Sequence, residues 1–201
     1  MKTIFVIGGI GAGKSTVSRT LENQGIPLID LDKVGHEVLT WPVVKADMRA
    51  AFGPDIFDEQ GEVIRPALAA VAFASEDNAH KLNCISLPRI KQAFVQKLAA
   101  LEKEGHKFAV VEYSNFEGKE SSWASKDDCV IAVTAPEELR VARAVARGGE
   151  EQDVRNRIAR QVSDEVRIEA ANYVFVNDGS AEQLRDQVLS WWSQYSMEEG
   201  R

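Results

Sequence analysis

The segment Gly8-Gly9-Ile10-Gly11-Ala12-Gly13-Lys14-Ser15-Thr16 has the residue types and spacing of a phosphate cradle. It matches G-x-x-x-x-G-K-[ST] at every position, between a short apolar run and a helical pattern that ends at Gly25. Small residues let backbone N–H groups turn inward around a triphosphate, and the following helix adds the positive end of its dipole. Gly9, Gly11, Ala12, Gly13, Lys14, Ser15 and Thr16 are therefore the candidate nucleotide-binding residues. Lys14 would reach the β- and γ-phosphates, and the Ser15 hydroxyl would ligate Mg²⁺. A Gly-rich turn serving geometry alone has no need of Gly-Lys-Ser at this spacing.

Two further constellations suit phosphoryl transfer. The run Ile29-Asp30-Leu31-Asp32 is followed by Lys33-Val34-Gly35-His36. In an extended segment Asp30 and Asp32 project to the same side, above the strand ends where α/β proteins hold ligands. A carboxylate there can orient an acceptor hydroxyl and take its proton. Asp30 could equally N-cap the next helix. Asp32 is harder to dismiss, and His36 lies one helical turn beyond it, on the same face. Downstream, Arg140, Arg143 and Arg147 follow Pro136-Glu137-Glu138 at helical spacing, which predicts one basic face. Planar guanidinium donors suit the equatorial oxygens of a transferring phosphoryl group. A solvated basic face is the competing reading, and the nearby phosphate loop weighs against it for Arg143 and Arg147.

These residues need a scaffold. Five short aliphatic or β-branched runs, Thr3–Ile7, Ile26–Ile29, Phe108–Val111, Val130–Val133 and Tyr173–Val176, read as strands buried on both faces of a parallel sheet. Helical patterns separate them, which predicts an α/β layer fold. The clearest helix runs from Leu87 to Glu104, with Leu87, Ile90, Phe94, Leu98 and Leu101 on one stripe. Ser86 would cap it, Pro88 would sit in its first turn, and Gly105 would stop it. About eighty residues separate the second and third strands, far more than one crossover helix needs. That stretch predicts a helical insertion, with a turn at Phe57-Asp58-Glu59-Gln60-Gly61, and residues 147–171 predict a charged helical lid. The Trp191-Trp192 pair lies on a helix after Ser180 and is expected to pack, not to bind a ligand.

Composition excludes other classes. The 201 residues are 44% hydrophobic and 27% charged, enough for one core domain with an insertion. Lys and Arg number 24 against 31 Asp and Glu, so the net charge is 24 − 31 = −7. A general nucleic-acid binder needs a broad basic face, which argues against nucleic acid as a partner. No segment is long enough to span a bilayer, so no membrane partner is expected. Cys84 and Cys129 have no metal or redox spacing and are expected to pack in the interior of a cytoplasmic protein. Two fragments imitate GTPase motifs, Asp58-Glu59-Gln60-Gly61 and Ser125-Lys126-Asp127-Asp128. The first does not follow a buried strand, and the second precedes a strand that it should follow. Both read as turns, which favours a small-molecule kinase over a switch.

The whole pattern resembles the dephospho-coenzyme A kinase family. The loop Gly8–Ser15 is similar to that family's GGIGSGKS, and Ile29–Asp32 with His36 to its I-D-A-D segment. Phe52-Gly53, Ile56-Phe57-Asp58, Gly61, Arg65, Leu68, Val71–Ala74 and Leu82–Ile85 with Pro88 resemble its CoA-domain helices. Arg143, Arg147, Gln161, Ala171, Tyr173–Asn177 and Gly179 resemble its lid and last strand. The resemblance implies transfer of phosphate from ATP to the ribose 3′-hydroxyl of dephospho-CoA, on a P-loop fold with sheet order 2-3-1-4-5. It implies a core of about residues 1–40, 106–146 and 172–201, a CoA-domain insertion of about 41–105 and a lid of about 147–171. The same resemblance makes Asp32 the general base, and it joins Lys14, Arg143 and Arg147, read above from motif and spacing, as the candidate catalytic residues. Asp30, His36 and Arg140 would join Asp32 at the substrate, and Asn177 and Gly179 would lie near adenine.

The segment after the third strand departs from the family, which has an acid and then Pro-Leu-Leu-Phe-Glu. Here it reads Val111-Glu112-Tyr113-Ser114-Asn115-Phe116-Glu117, one residue shorter. Glu112 would replace the acid that supports Mg²⁺, and Phe116 and Glu117 would keep the end of the substrate-lining run. Leu87 replaces a histidine, and Gly148 replaces an aspartate after the lid arginine. These changes bear on acceptor and lid, so two other readings stay open: a kinase with another hydroxyl acceptor, and a non-catalytic nucleotide-binding module. A monomer or weak homo-oligomer is expected.

Overall fold

In a computed structural model, described for residues 1–119 and 123–199, five strands form one parallel sheet in the order β2-β3-β1-β4-β5. They are β1 (Lys2–Gly8), β2 (Leu28–Asp30), β3 (Phe108–Tyr113), β4 (Cys129–Thr134) and β5 (Tyr173–Val176). Residues 120–122 and 200–201, inside the expected core ranges, lie outside the described residues. The chain divides into two compact units, Met1–Asp30 with Leu101–Arg201, and Leu31–Ala100. Among the described residues no helix is long and apolar enough to cross a membrane.

In the first unit β1 occupies the middle of the sheet, and apart from Lys2 it is buried along its length, as is the whole of β4. Helices α1 (Lys14–Glu22), α6 (Glu137–Val145), α7 (Glu151–Ala159), α8 (Asp164–Ala170) and α9 (Ala181–Glu199) belong to this unit. Ile4, Val6, Val17, Leu21, Ile131, Leu184 and Val188 pack in one core against which Trp191 and Trp192 close. Each fully buried aliphatic side chain of this kind contributes about 1.5–3 kcal/mol relative to exposure. The tryptophan pair is packing material, with Trp191 stacked on Tyr195 at 4.7 Å and Trp192 edge-on to Phe108 at 5.1 Å.

The strand readings need two corrections. β2 begins at Leu28 because Pro27 has no N–H to give a ladder; its carbonyl still accepts the Val110 N–H at 2.8 Å. β5 is not covered on both faces: at the sheet edge Phe175 is buried while Tyr173, Val174 and Val176 are exposed. Cys129 is buried, which pushes its thiol up to about 11 and keeps it inert. Cys84 is exposed, against expectation, with its Sγ 3.4 Å from His80 Nε2.

The second unit is helical: α2 (Leu31–Val38), α3 (Pro42–Phe52), α4 (Arg65–Ala72) and most of α5 (Glu76–Lys103). Val44, Met48, Ile56, Phe57, Leu68 and Ala72 form its own core. The turn after Phe57 is built by the Asp58 carboxylate, which accepts the N–H groups of Gln60 and Glu62 at 3.0 and 2.8 Å. Helix α5 corrects the expected start at Leu87, because it runs unbroken through Pro88. Pro88 removes one helical donor, and the residue whose carbonyl it leaves, Cys84, is open to solvent. Ser86 is no cap; its hydroxyl donates back to the Leu82 carbonyl at 2.7 Å. Leu87 lies off the packed stripe and is 45% exposed. The helix stops where expected, with Gly105 at φ 88° and the His106 N–H closing on the Leu101 carbonyl at 3.1 Å.

Candidate active site

The phosphate loop leaves β1 at the carboxyl edge of the sheet and feeds α1, whose N-cap is Gly13. Lys14 opens the helix and is buried; its Nζ folds across the loop and donates to the carbonyls of Gly8 and Gly9 at 3.0 and 3.2 Å. Neutral carbonyls hold an ammonium less strongly than phosphate oxygens do, so a triphosphate can take over these bonds. Gly11 stands at φ 74°, and a Cβ there would lie 2.3 Å from the Arg140 carbonyl oxygen. Gly11→Ala is expected to lower ATP affinity by about tenfold or more, since the left-handed backbone alone costs a side chain about 1–2 kcal/mol. Titration calorimetry checks this, and parental affinity in the variant would contradict the close approach.

Ser15 points outward from the first turn of α1, and its Oγ donates to Glu112 Oε1 at 2.7 Å. Register explains the meeting. Glu112 stands opposite Val6 of β1 on one side and Asp30 of β2 on the other, one residue from the end of β3. Sequence alone marks Glu112 only as an acid near a strand end; the pairing brings it to the loop. A hydroxyl and a carboxylate are the hard oxygen donors that Mg²⁺ uses beside substrate phosphates, so Ser15 and Glu112 fit that ion.

Asp30 ends β2 and Asp32 already lies in the first turn of α2, so the two do not share one extended segment. Helix starts suit acidic residues, which accounts for the early turn. Asp32 and His36 are both exposed on α2. After β3, Phe116 is buried and meets the Tyr113 ring edge-on at 6.1 Å, while Trp123 stacks on Tyr113 at 5.7 Å. Burial, then the Glu117 charge, pushes the Tyr113 phenol up to about 12, so it stays protonated at neutral pH. Glu117 itself is exposed.

The three arginines do not share a face. Arg140 is 6% exposed and its Nε donates to the Ile10 carbonyl at 3.0 Å. Arg143 turns to the loop after β5, donating to the Asn177 carbonyl at 3.0 Å, to Asn177 Oδ1 at 3.2 Å and to the Gly179 carbonyl at 3.1 Å. Arg147 is exposed, beyond the α6 C-cap Ala146. The chain reverses there with Gly148 at φ 95°, a conformation that disfavours any side chain, which explains glycine at this place.

Asn177 joins two walls. Its Nδ2 donates to the Ala12 carbonyl at 2.7 Å, its backbone N–H to the Thr134 carbonyl at 2.7 Å, and it receives Arg143. Beside it a pocket of about 340 Å³ is lined by Asp178, Gly179, Ser180, Gln183 and Asp186. Ser180 and Gln183 bond reciprocally at the start of α9, a capping box that shapes this wall. Sequence reasoning missed Asp164 and Arg167, whose side chains meet at 2.6 Å; Arg167 is almost wholly buried. A charged pair one helical turn apart looks like surface decoration in a sequence, so only burial singles it out.

A phosphate loop on the central strand, an acid bonded to its serine and a pocket beside it describe a nucleotide kinase fold. A family model described as dephospho-CoA kinase matches residues 3–183. The chain belongs to the dephospho-CoA kinase family. This kinase is 41% identical over 190 residues to the dephospho-CoA kinase of Corynebacterium efficiens, covering 93% of this chain and 94% of that one. The crystal structure of TT1252 from Thermus thermophilus is similar at a TM-score of 0.81 and 27% identity, covering 96% and 97% of the two chains. The dephospho-CoA kinase from Campylobacter jejuni matches at a TM-score of 0.67, covering 96% of each chain; at 19% identity this is a likeness of fold. The kinase is thus an ATP-dependent phosphotransferase that phosphorylates dephospho-CoA.

Proposed function

We propose that the phosphoryl transfer runs on the following residues. The backbone from Gly9 to Thr16 cradles the triphosphate, and Lys14 follows the charge that develops between the β- and γ-phosphates. Ser15 and Glu112 hold Mg²⁺, which supplies charge neutralisation on the phosphate oxygens when bound. The single observation that carries this reading is the Ser15–Glu112 hydrogen bond of 2.7 Å. Asp32, two residues past the end of β2, takes the proton of the ribose 3′-hydroxyl. Asp30, His36, Phe116 and Glu117 are assigned to the acceptor, and the insertion of about residues 41–105 to its CoA portion. The backbone of Asn177 to Gly179 faces adenine, because the Asn177 amide is already committed to Ala12 and Arg143.

Arg143 shapes that wall, and Arg147, exposed at the start of the 147–171 lid, meets the transferring phosphoryl group. Two unpaired cysteines accord with work in the reducing cytoplasm. Glu112→Gln tests the reading. It keeps the side-chain shape and removes the charge, so half-maximal rate is expected to need about ten times more Mg²⁺. An unchanged Mg²⁺ requirement would take Glu112 out of the metal site.

A further inference from the structure

One residue of the phosphate loop is gripped on every side. The Ile10 N–H donates to Gln161 Oε1 at 2.9 Å, and its carbonyl accepts Arg140 Nε at 3.0 Å. Its side chain packs against Val141, Ala144, Val154 and Ile158 of α6 and α7. Arg140 itself leaves no slack, since a Cβ on Gly9 would stand 2.1 Å from Arg140 Nη2. The guanidinium is held from behind: Nη2 lies 3.5 Å from Gln161 Oε1, and Nη1 lies 3.7 Å from Asp164 Oδ2. Asp164 is fixed in turn by Arg167, 1% exposed, at 2.6 Å. Burial, with the neighbouring Arg140 charge, lowers the Arg167 pKa against the pull of Asp164. Two buried guanidinium groups thus share one carboxylate, and losing Asp164 removes the counter-charge that both rely on.

We propose that Gln161, backed by Arg140, Asp164 and Arg167, is a positioning residue that sets the phosphate loop in its nucleotide-binding geometry. The inference rests on the reading of Gly9 to Thr16 as the ATP cradle. Backbone donors that converge on phosphate are effective when they are ordered before the ligand arrives, because ordering them afterwards is drawn from binding energy. Ile10 is where that order is imposed, and the α7–α8 segment is what imposes it. The segment therefore acts on ATP through the loop.

Gln161→Leu removes the acceptor from the Ile10 N–H. ATP Kd and KM are expected to rise about tenfold, the scale of one buried hydrogen bond left unmade. KM for dephospho-CoA is expected to stay within about twofold, because the acceptor does not sense the loop directly. Gln161→Glu keeps an oxygen for Ile10 and one for Arg140, and is expected to recover ATP affinity to within about threefold of the parent. Gln161→Asn, one methylene shorter, is the substitute where the leucine variant does not fold, and its loss should fall on ATP as well. A fall in Tm with ATP KM unchanged, parallel rises in both KM values, or failure of the glutamate to rescue would each overturn the proposal. Lys14→Ala, measured in parallel, separates the two levels: undiminished ATP affinity there overturns the cradle reading, whereas an effect at Lys14 and none at Gln161 overturns the positioning role alone.

Discussion

Asp32→Asn is expected to lower kcat by about 10²–10⁴, the scale of a positioned general base, while ATP Kd stays within about twofold. An asparagine has the carboxylate's shape and can accept a hydrogen bond, so the acceptor hydroxyl would still be oriented. It cannot take up the proton, and the loss falls on the chemical step. Asp32 is exposed in the first turn of α2, outside the packed core of its unit, so the exchange leaves folding intact. Rapid-quench turnover with saturating ATP and dephospho-CoA measures the effect. A kcat within about threefold of the parent would remove Asp32 from the base role.

Lys14→Ala is expected to cost about 10²–10³ in kcat, the scale of one preorganised electrostatic donor. Its ammonium lies within 3.2 Å of two loop carbonyls and is buried at the first position of α1. The charge is thus already desolvated and aimed along the loop before the phosphates gain charge, which is the condition for such a group to favour the transition state. Alanine is a strong helix former, so α1 keeps its propensity. Single-turnover rates at saturating ATP isolate this loss from weaker binding. A kcat loss below about tenfold would show that the backbone donors and the metal carry the transfer without it.

Much of the scaffold was legible because it rests on local pattern. The aliphatic runs gave β1, β3, β4 and β5 to within two residues, and Gly-Lys-Ser after a strand fixed the loop that starts α1. Gly105 stopped α5 where its positive φ required. What stayed hidden depends on three-dimensional neighbours. Pro88 looked like a helix start, yet a helix tolerates it where the abandoned carbonyl lies in an exposed turn. Arg140 and Arg143 share a helical spacing, yet one is drawn under the loop by Ile10 and the other across to Asn177 and Gly179. Spacing reports which face a residue leaves from, not which acceptor lies within reach of its long side chain. The Ser15–Glu112 bond depends on the register between β1 and β3, which no local pattern encodes. Arg167 reads as a surface charge until its burial against Asp164 is seen.

The most direct measurement of the central claim is the position of the transferred phosphate. The chain is incubated with ATP, Mg²⁺ and dephospho-CoA, its 3′-deoxy analogue, adenosine or a nucleoside monophosphate, and each product is located by phosphorus NMR and mass spectrometry. Phosphate is expected on the ribose 3′-oxygen of dephospho-CoA, with no transfer to the 3′-deoxy analogue and little to the smaller acceptors. Preference for adenosine or a monophosphate, or ATP binding without any transfer, would contradict the account.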